Sequence, residues 1–215
     1  MQSGVYNYFL NGEPTGITES FDIEFLPDGS KITKSLRDAT PFKTTISVQT
    51  FETNGEFQSS TIKFQKEEND IEAVYEFTEK NFHILRKING DIFQNETLEL
   101  PASYVFFPLM RCFQGQTIMQ VANNRDVTTV VVPDIQTSSK IEDLLRPTFD
   151  ERTAELVSSN ENQRIFYYLS KHYDETSEFH INQNGLLTYY KFIQSEQQTW
   201  EIILQWVNED PKLRI

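Results

Sequence analysis

Five of the eight glycines directly follow an Asn or Asp. The pairs are Asn11-Gly12, Asp28-Gly29, Asn54-Gly55, Asn89-Gly90 and Asn184-Gly185. Asn-Gly and Asp-Gly favour the positive φ of tight hairpin turns, whose twist matches that of the strands they join. The flanking segments support this. Phe21, Ile23 and Phe25 alternate with Asp22 and Glu24; Ile62 and Phe64 alternate with Thr61 and Lys63; Ala73-Val74-Tyr75-Glu76-Phe77 continues the pattern. Alternation of this kind marks strands with one buried and one wet face, as in antiparallel sheets.

The pattern predicts strands near 4–10, 16–26, 31–39, 44–52, 57–66, 71–79, 81–88 and 91–99. Short links join most of them, so the first half reads as a β-meander. The segment from Leu100 to Gly115 breaks the period. It is apolar without alternation and carries Pro101 and Pro108, which predicts a buried irregular plug over about 100–116 with a short helix. Strands resume at 127–132 and near 151–158, 163–172, 177–182, 186–194 and 199–207. Between them Ser139 and Glu142 have capping-box spacing, which predicts a short helix over about 139–146 ended by Pro147. No linker or repeat divides the chain, so residues 1–215 are expected to form a single β-rich domain.

Composition narrows the function classes. The 32 acidic residues outnumber 19 Lys and Arg, giving a net charge of −13. Nucleic-acid and anionic-lipid surfaces are recognised through Lys and Arg, so neither is an expected partner. The longest apolar run, Tyr104 to Met110, is too short to span a bilayer, and no integral membrane association is expected. The N-terminus has no signal-peptide pattern, so the expectation is cytoplasmic, with a processed secreted or periplasmic form as the alternative. One cysteine excludes a disulfide framework.

Catalytic signals are sparse. Cys112 beside Arg111 could be an activated thiol, but between Met110 and Phe113 it reads better as a small buried hydrophobe. His172, Asp174, Glu178 and His180 share parity and could hold a divalent ion, yet Asp174-Glu175-Thr176 looks like a turn that breaks the parity. The run from Glu67 to Glu72 lacks a Ca²⁺-loop spacing, and pairs such as Glu76 with Glu79 are expected by number alone. Phosphate loops, nucleophile elbows and Cys or His metal motifs are absent. No cofactor and no metal are expected.

What stands out is the aromatic content of 13%, with 17 Phe, 9 Tyr and 2 Trp. Aromatics recur along many of the predicted strands, among them Tyr6, Phe21, Phe64, Tyr167 and Phe192. They suit the core of a large sheet, and equally the lining of a pocket.

The order of these segments resembles a known superfamily. Tyr6-x-Tyr8-x-x-Asn11-Gly12-x-x-x-Gly16 opens the chain, the Pro101 to Gly115 segment interrupts it, and Phe179-x-Ile181-x-x-Asn184-Gly185-Leu186-Leu187-x-Tyr189-Tyr190 lies near its end. The layout is similar to the half-barrels typified by the lipoprotein carrier LolA, with the glycolipid-binding half-barrels and the biosynthetic enzyme VioE. The resemblance implies an all-β fold with minor α: a curved antiparallel half-barrel or barrel, largely a meander, with a helical plug. It implies a concave face that binds a hydrophobic small molecule or lipid without catalysis. The residues expected there are Tyr8, Phe25, Tyr75, Phe77, Phe106, Phe107, Met110, Phe113 and Tyr189. Two alternatives stay open: a VioE-like enzyme orienting a reactive hydrophobic intermediate, and a structural or interaction domain whose concave face is filled.

Overall fold

A computed structural model describes residues 1–124, 128–135, 140–170, 173–195 and 197–209. The turn chemistry takes the expected form at three of the five pairs, while at Asp28-Gly29 and Asn184-Gly185 only the glycine has positive φ, 85° and 78°. Asn11, Asn54 and Asn89 have φ of 54°, 55° and 51°, and the glycines after them have 81°, 80° and 89°. Both central residues of each turn thus lie in the left-handed region that a two-residue hairpin requires.

The chain runs through β1 (Gln2–Leu10), β2 (Glu13–Phe25), β3 (Lys31–Ala39), β4 (Thr44–Thr53), β5 (Glu56–Lys66), β6 (Asn69–Phe77), β7 (Asn81–Ile88) and β8 (Asp91–Glu99), and these three turns join β1 to β2, β4 to β5 and β7 to β8. A short strand, β9 (Tyr104–Phe106), precedes helix α1 (Arg111–Asn123) and β10 (Thr128–Pro133). The chain continues through β11 (Pro147–Ser159), β12 (Gln163–Ser170), β13 (Tyr173–Asn182), β14 (Leu187–Ser195) and β15 (Gln198–Glu209). Val127, His172 and the capping residues Ser138 and Ser139 fall outside the described residues.

Among the described residues 15 strands form one sheet, in the order β8-β7-β6-β5-β4-β3-β2-β1-β15-β14-β13-β12-β11-β10-β9. The first strand pairs with the last, Gln2 opposite Glu209 through Leu10 opposite Trp200. Every pair is antiparallel except β9 and β10, which are parallel and need a crossover; α1 supplies it.

The topology dictates strong curvature. A flat sheet of this many strands, spaced about 4.8 Å apart, would be roughly 65–70 Å wide. Yet only residues 100–103 connect β8 at one edge to β9 at the other, and such a link reaches about 17 Å. The edges must curl toward each other. They meet through side chains: the Phe106 ring of β9 lies 5.3 Å from Tyr75 and 4.9 Å from Phe77 of β6. No ladder joins β8 to β9, so the sheet is barrel-like and open, which rules out the closed-barrel alternative.

Two expectations about helices are corrected. The plug helix is not short: α1 runs 13 residues and passes beyond 116 to Asn123. Its buried residues include Cys112, Phe113, Gln114, Thr117, Ile118 and Val121, spread around the helix because the sheet surrounds it. The helix expected over 139–146 is only a 3₁₀ turn, Ile141–Asp143. Leu145 follows with φ of 59°, and the carbonyls of Leu144 and Leu145 accept hydrogen bonds from Arg86 and Tyr75. Those bonds draw the chain inward before a helix can continue. Among the described residues no helix is long and apolar enough to cross a membrane.

Candidate functional site

The concave side has two unlike halves. Against β5–β7 it is filled. Phe57, Tyr75, Phe77, Phe82, Phe106 and Phe113 pack ring to ring, with centroids 4.9–6.4 Å apart. Aromatic contact at such distances adds to the burial of area itself.

Against β11–β14 the concave side is open. A cavity of about 570 Å³ lies between these strands and the start of α1, within the ordinary range for small-molecule sites. One wall is an aromatic ladder. Phe179 stacks on Tyr190 at 4.3 Å with planes 7° apart, Tyr168 meets Phe179 edge-on at 5.5 Å, and Phe192 follows Tyr190 at 6.5 Å. The opposite wall includes Phe107, Leu109 and Val132.

Three of the chain's eight arginines also line this cavity: Arg37, Arg111 and Arg152. Arg152 lies over the Tyr168 ring at 5.1 Å, and Arg111 over Tyr190 at 5.3 Å. Each ring face attracts the cation beside it. Arg152 Nε donates to Asp150 at 2.6 Å and Nη1 to the Tyr168 hydroxyl at 3.1 Å. Burial works against the charge of Arg152, but Tyr168 and Asp150 outweigh it and hold its pKa above the usual value. Burial likewise raises Tyr168, with Arg152 opposing.

A buried carboxylate organises the other side. Glu19, on β2, accepts from Arg37 Nε and Nη2 at 2.9 and 2.8 Å and from the Tyr8 hydroxyl at 2.9 Å. Its second oxygen accepts from the backbone N–H of Arg111, where α1 begins. Met110 at the helix start offers no side-chain cap, so Glu19 caps the helix from the sheet and complements its dipole. Burial pushes the Tyr8 hydroxyl up to about 12, with Arg37 opposing and Glu19 adding to the rise.

Of the residues expected at a concave site, Phe107 lines this cavity. Tyr75, Phe77, Phe106 and Phe113 belong to the filled half, and Met110 is fully buried. Tyr8 is buried with Glu19. Phe25 has inward parity but stands at the end of β2, 48% exposed, beyond the covered surface. Tyr189 is corrected to the opposite face, where it donates to Glu201 at 2.6 Å beside His180. The reason is a bulge: pairing of β13 with β14 runs Phe179 to Tyr190 and His180 to Tyr189, then jumps to Ile181 with Leu187. The extra residue reverses the parity, turning Tyr190 inward.

The sequence reading missed Tyr168, Phe179, Tyr190 and all three arginines as site residues. Both tyrosines are the second member of a Tyr-Tyr pair, and pairing register decides which member faces in. Cys112 is buried, and burial together with Glu19 pushes its thiol well up, so it stays protonated. His180 lies 2.5 Å from Glu178, while His172 and the Asp174 side chain fall outside the described residues. Among the described residues no three His, Cys, Asp or Glu are grouped to hold a metal.

No family model and no curated protein matches the chain. A solved structure does: a β-barrel-like protein of a domain of unknown function (DUF1849) from Brucella abortus. It is similar over 97% of this chain and 98% of its own, with a TM-score of 0.55 at 10% identity. At that identity the likeness is one of fold, and it agrees with the barrel-like sheet.

Proposed function

We propose that the protein binds a hydrophobic small molecule or lipid in the cavity between α1 and β11–β14, without catalysis, the whole chain acting as one unit. The observation that carries this reading is the Tyr168–Phe179–Tyr190–Phe192 ladder facing open volume while the other half of the concave side is packed solid. A filled structural core has no need of a second aromatic wall lining open volume. The layout of LolA-like half-barrels, which hold apolar cargo against a concave sheet, agrees with it.

The convergence of Arg152, Asp150 and Tyr168 favours a second reading, an enzyme that orients a reactive hydrophobic intermediate. General acid–base work is best served by a pKa near the working pH. Arg152 and Tyr168 are instead both shifted upward, so each keeps its proton. That supports a role in recognition for both.

The test is titration with 1-aminoanthracene, a neutral fluorophore, for the wild type and Ser177→Trp. Ser177 lines the cavity from β13, and an indole there fills it. Saturable fluorescence enhancement is expected for the wild type and none for S177W at unchanged melting temperature. A wild type that takes up no probe, and carries no small molecule in native mass spectra, removes the reading.

A further inference from the structure

We infer that the ligand of this cavity carries an anionic head, a carboxylate or a phosphate monoester, and that Arg111 binds it. The inference rests on the cavity being a hydrophobic-ligand site and adds the chemistry of the ligand's polar end.

Among the described residues four guanidiniums reach into the interior, and three of them have an acceptor at Nε. Arg37 bonds Glu19 and the Leu109 carbonyl. Arg152 bonds Asp150 and Tyr168. Arg86, on the filled side, bonds the Leu144 and Glu142 carbonyls and Gln94. Arg111 differs. Its Nη1 donates to the neutral Gln114, its plane lies on Tyr190, and its Nε is buried with no acceptor. Among the described residues it has no carboxylate partner. The Tyr8 hydroxyl, which donates to Glu19, also interacts with the Arg111 guanidinium, but its oxygen is a neutral acceptor and brings no counter-charge.

A guanidinium keeps its charge at any physiological pH, and a buried N–H without an acceptor is unfavourable. The missing partner is an anion able to accept from the Nε edge, the two-pronged geometry of carboxylates and phosphates. Arg111 and Gln114 both line the cavity, so an anionic acceptor can reach the guanidinium from there. The stacking of Arg111 on Tyr190 puts the head at the ladder and leaves Phe192 and Phe107 for the apolar body. Of the other charges on the wall, Asp150 offsets Arg152, Glu19 offsets Arg37 from behind, and Asp134 is an acid that would favour a cation. The competition between Arg111 and Asp134 is therefore part of the test.

The experiment displaces 1-aminoanthracene from the full chain with four ligands of equal tail: dodecanoate, dodecyl phosphate, dodecanol and dodecylammonium. Dodecanoate or dodecyl phosphate is expected to bind about ten- to a hundredfold more tightly than dodecanol, the effect of one charge-assisted contact. The stronger of the two identifies the head. Arg111→Gln is expected to erase the preference, and Arg111→Lys to keep part of it. The wild-type series decides the matter even where a variant folds poorly. Equal binding of dodecanol and dodecanoate, or a preference for dodecylammonium, overturns the anionic head and leaves the hydrophobic site standing. If neither the fluorophore nor any tail binds, both readings fall together.

Discussion

Arg37 donates through Nη2 to Glu19 at 2.8 Å and to the Leu109 carbonyl at 2.7 Å. One side chain on β3 therefore ties β2 to the turn that launches α1. Leu109 itself has φ of 70°, a left-handed conformation unusual for leucine that the Arg37 bond and the packing around it hold in place. Glu19 completes the arrangement by capping Arg111. The start of α1, and the cavity wall it forms, is thus tied to the sheet by one buried ion pair.

Glu19→Ala should therefore be severely destabilising. Removing one partner of a buried pair leaves the other charged and unsolvated, a loss of about 3–5 kcal/mol. The double variant Glu19→Ala with Arg37→Met removes that stranded charge and should recover much of it. Urea unfolding of the single and double variants measures the difference. If Glu19→Ala unfolds at the wild-type midpoint, the pair does not hold α1.

Gly115 predicts a steric effect at the other side of the helix. A Cβ there would lie 2.1 Å from the Gly185 carbonyl oxygen, which belongs to the turn between β13 and β14. Backbone cannot yield as a flexible side chain can. Gly115→Ala normally raises helix propensity by about 1 kcal/mol; here overpacking of about 1–3 kcal/mol or more should dominate. Thermal unfolding should show a lower melting temperature, and a rise would mean that α1 sits farther from the turn.

Buried tyrosines set the alkaline limit. Burial raises the Tyr6 and Tyr75 hydroxyls well above the ordinary tyrosine range, and Tyr8 to about 12. Tyr189 reaches about 12 through burial and then its bond to Glu201. Between pH 10 and 12 the unfolded chain has lost these protons and the folded chain retains them, so stability is fully present below pH 10 and falls as pH rises. Tyr8 alone contributes about 2–3 kcal/mol across that window. Tyrosinate absorbance near 295 nm should rise together with loss of near-ultraviolet circular dichroism. A smooth titration near pH 10 with the fold intact would contradict the burial of these hydroxyls.

The strands and turns were legible because their signals are local: Asn-Gly pairs fix turns and period-2 spacing fixes faces. The predicted span 31–39 coincides with β3, and 81–88 with β7. The cavity was not legible, since it depends on pairing between distant segments. Nothing near Thr188 announces the bulge that turns Tyr190 inward in place of Tyr189. Nothing in the spacing of Glu19, Arg37 and Arg111 shows that β2, β3 and α1 converge. The length of α1 was hidden for a related reason. A helix enclosed by sheet has no single apolar face, so Gln114, Gly115 and Thr117 obscured its period. The aromatic excess was visible, but only tertiary contact divides it into a filled seam and an open ladder.

That seam yields the last prediction. Phe106 on β9 contacts Phe57, Tyr75 and Phe77, joining the sheet's two ends where no backbone ladder does. Phe106→Ala should cost about 3–5 kcal/mol, the usual range for a buried phenylalanine. The damage should also be localised. Only three residue pairs join β9 to β10, Thr129–Tyr104, Val130–Val105 and Val131–Phe106, so side-chain contact with β6 carries much of its attachment. Hydrogen exchange should accelerate first at the β9 and β10 amides, while β1 and β15, paired over nine positions at the middle of the sheet, keep their protection. Uniform acceleration across all strands would instead mean that the curl of the sheet is maintained without the seam.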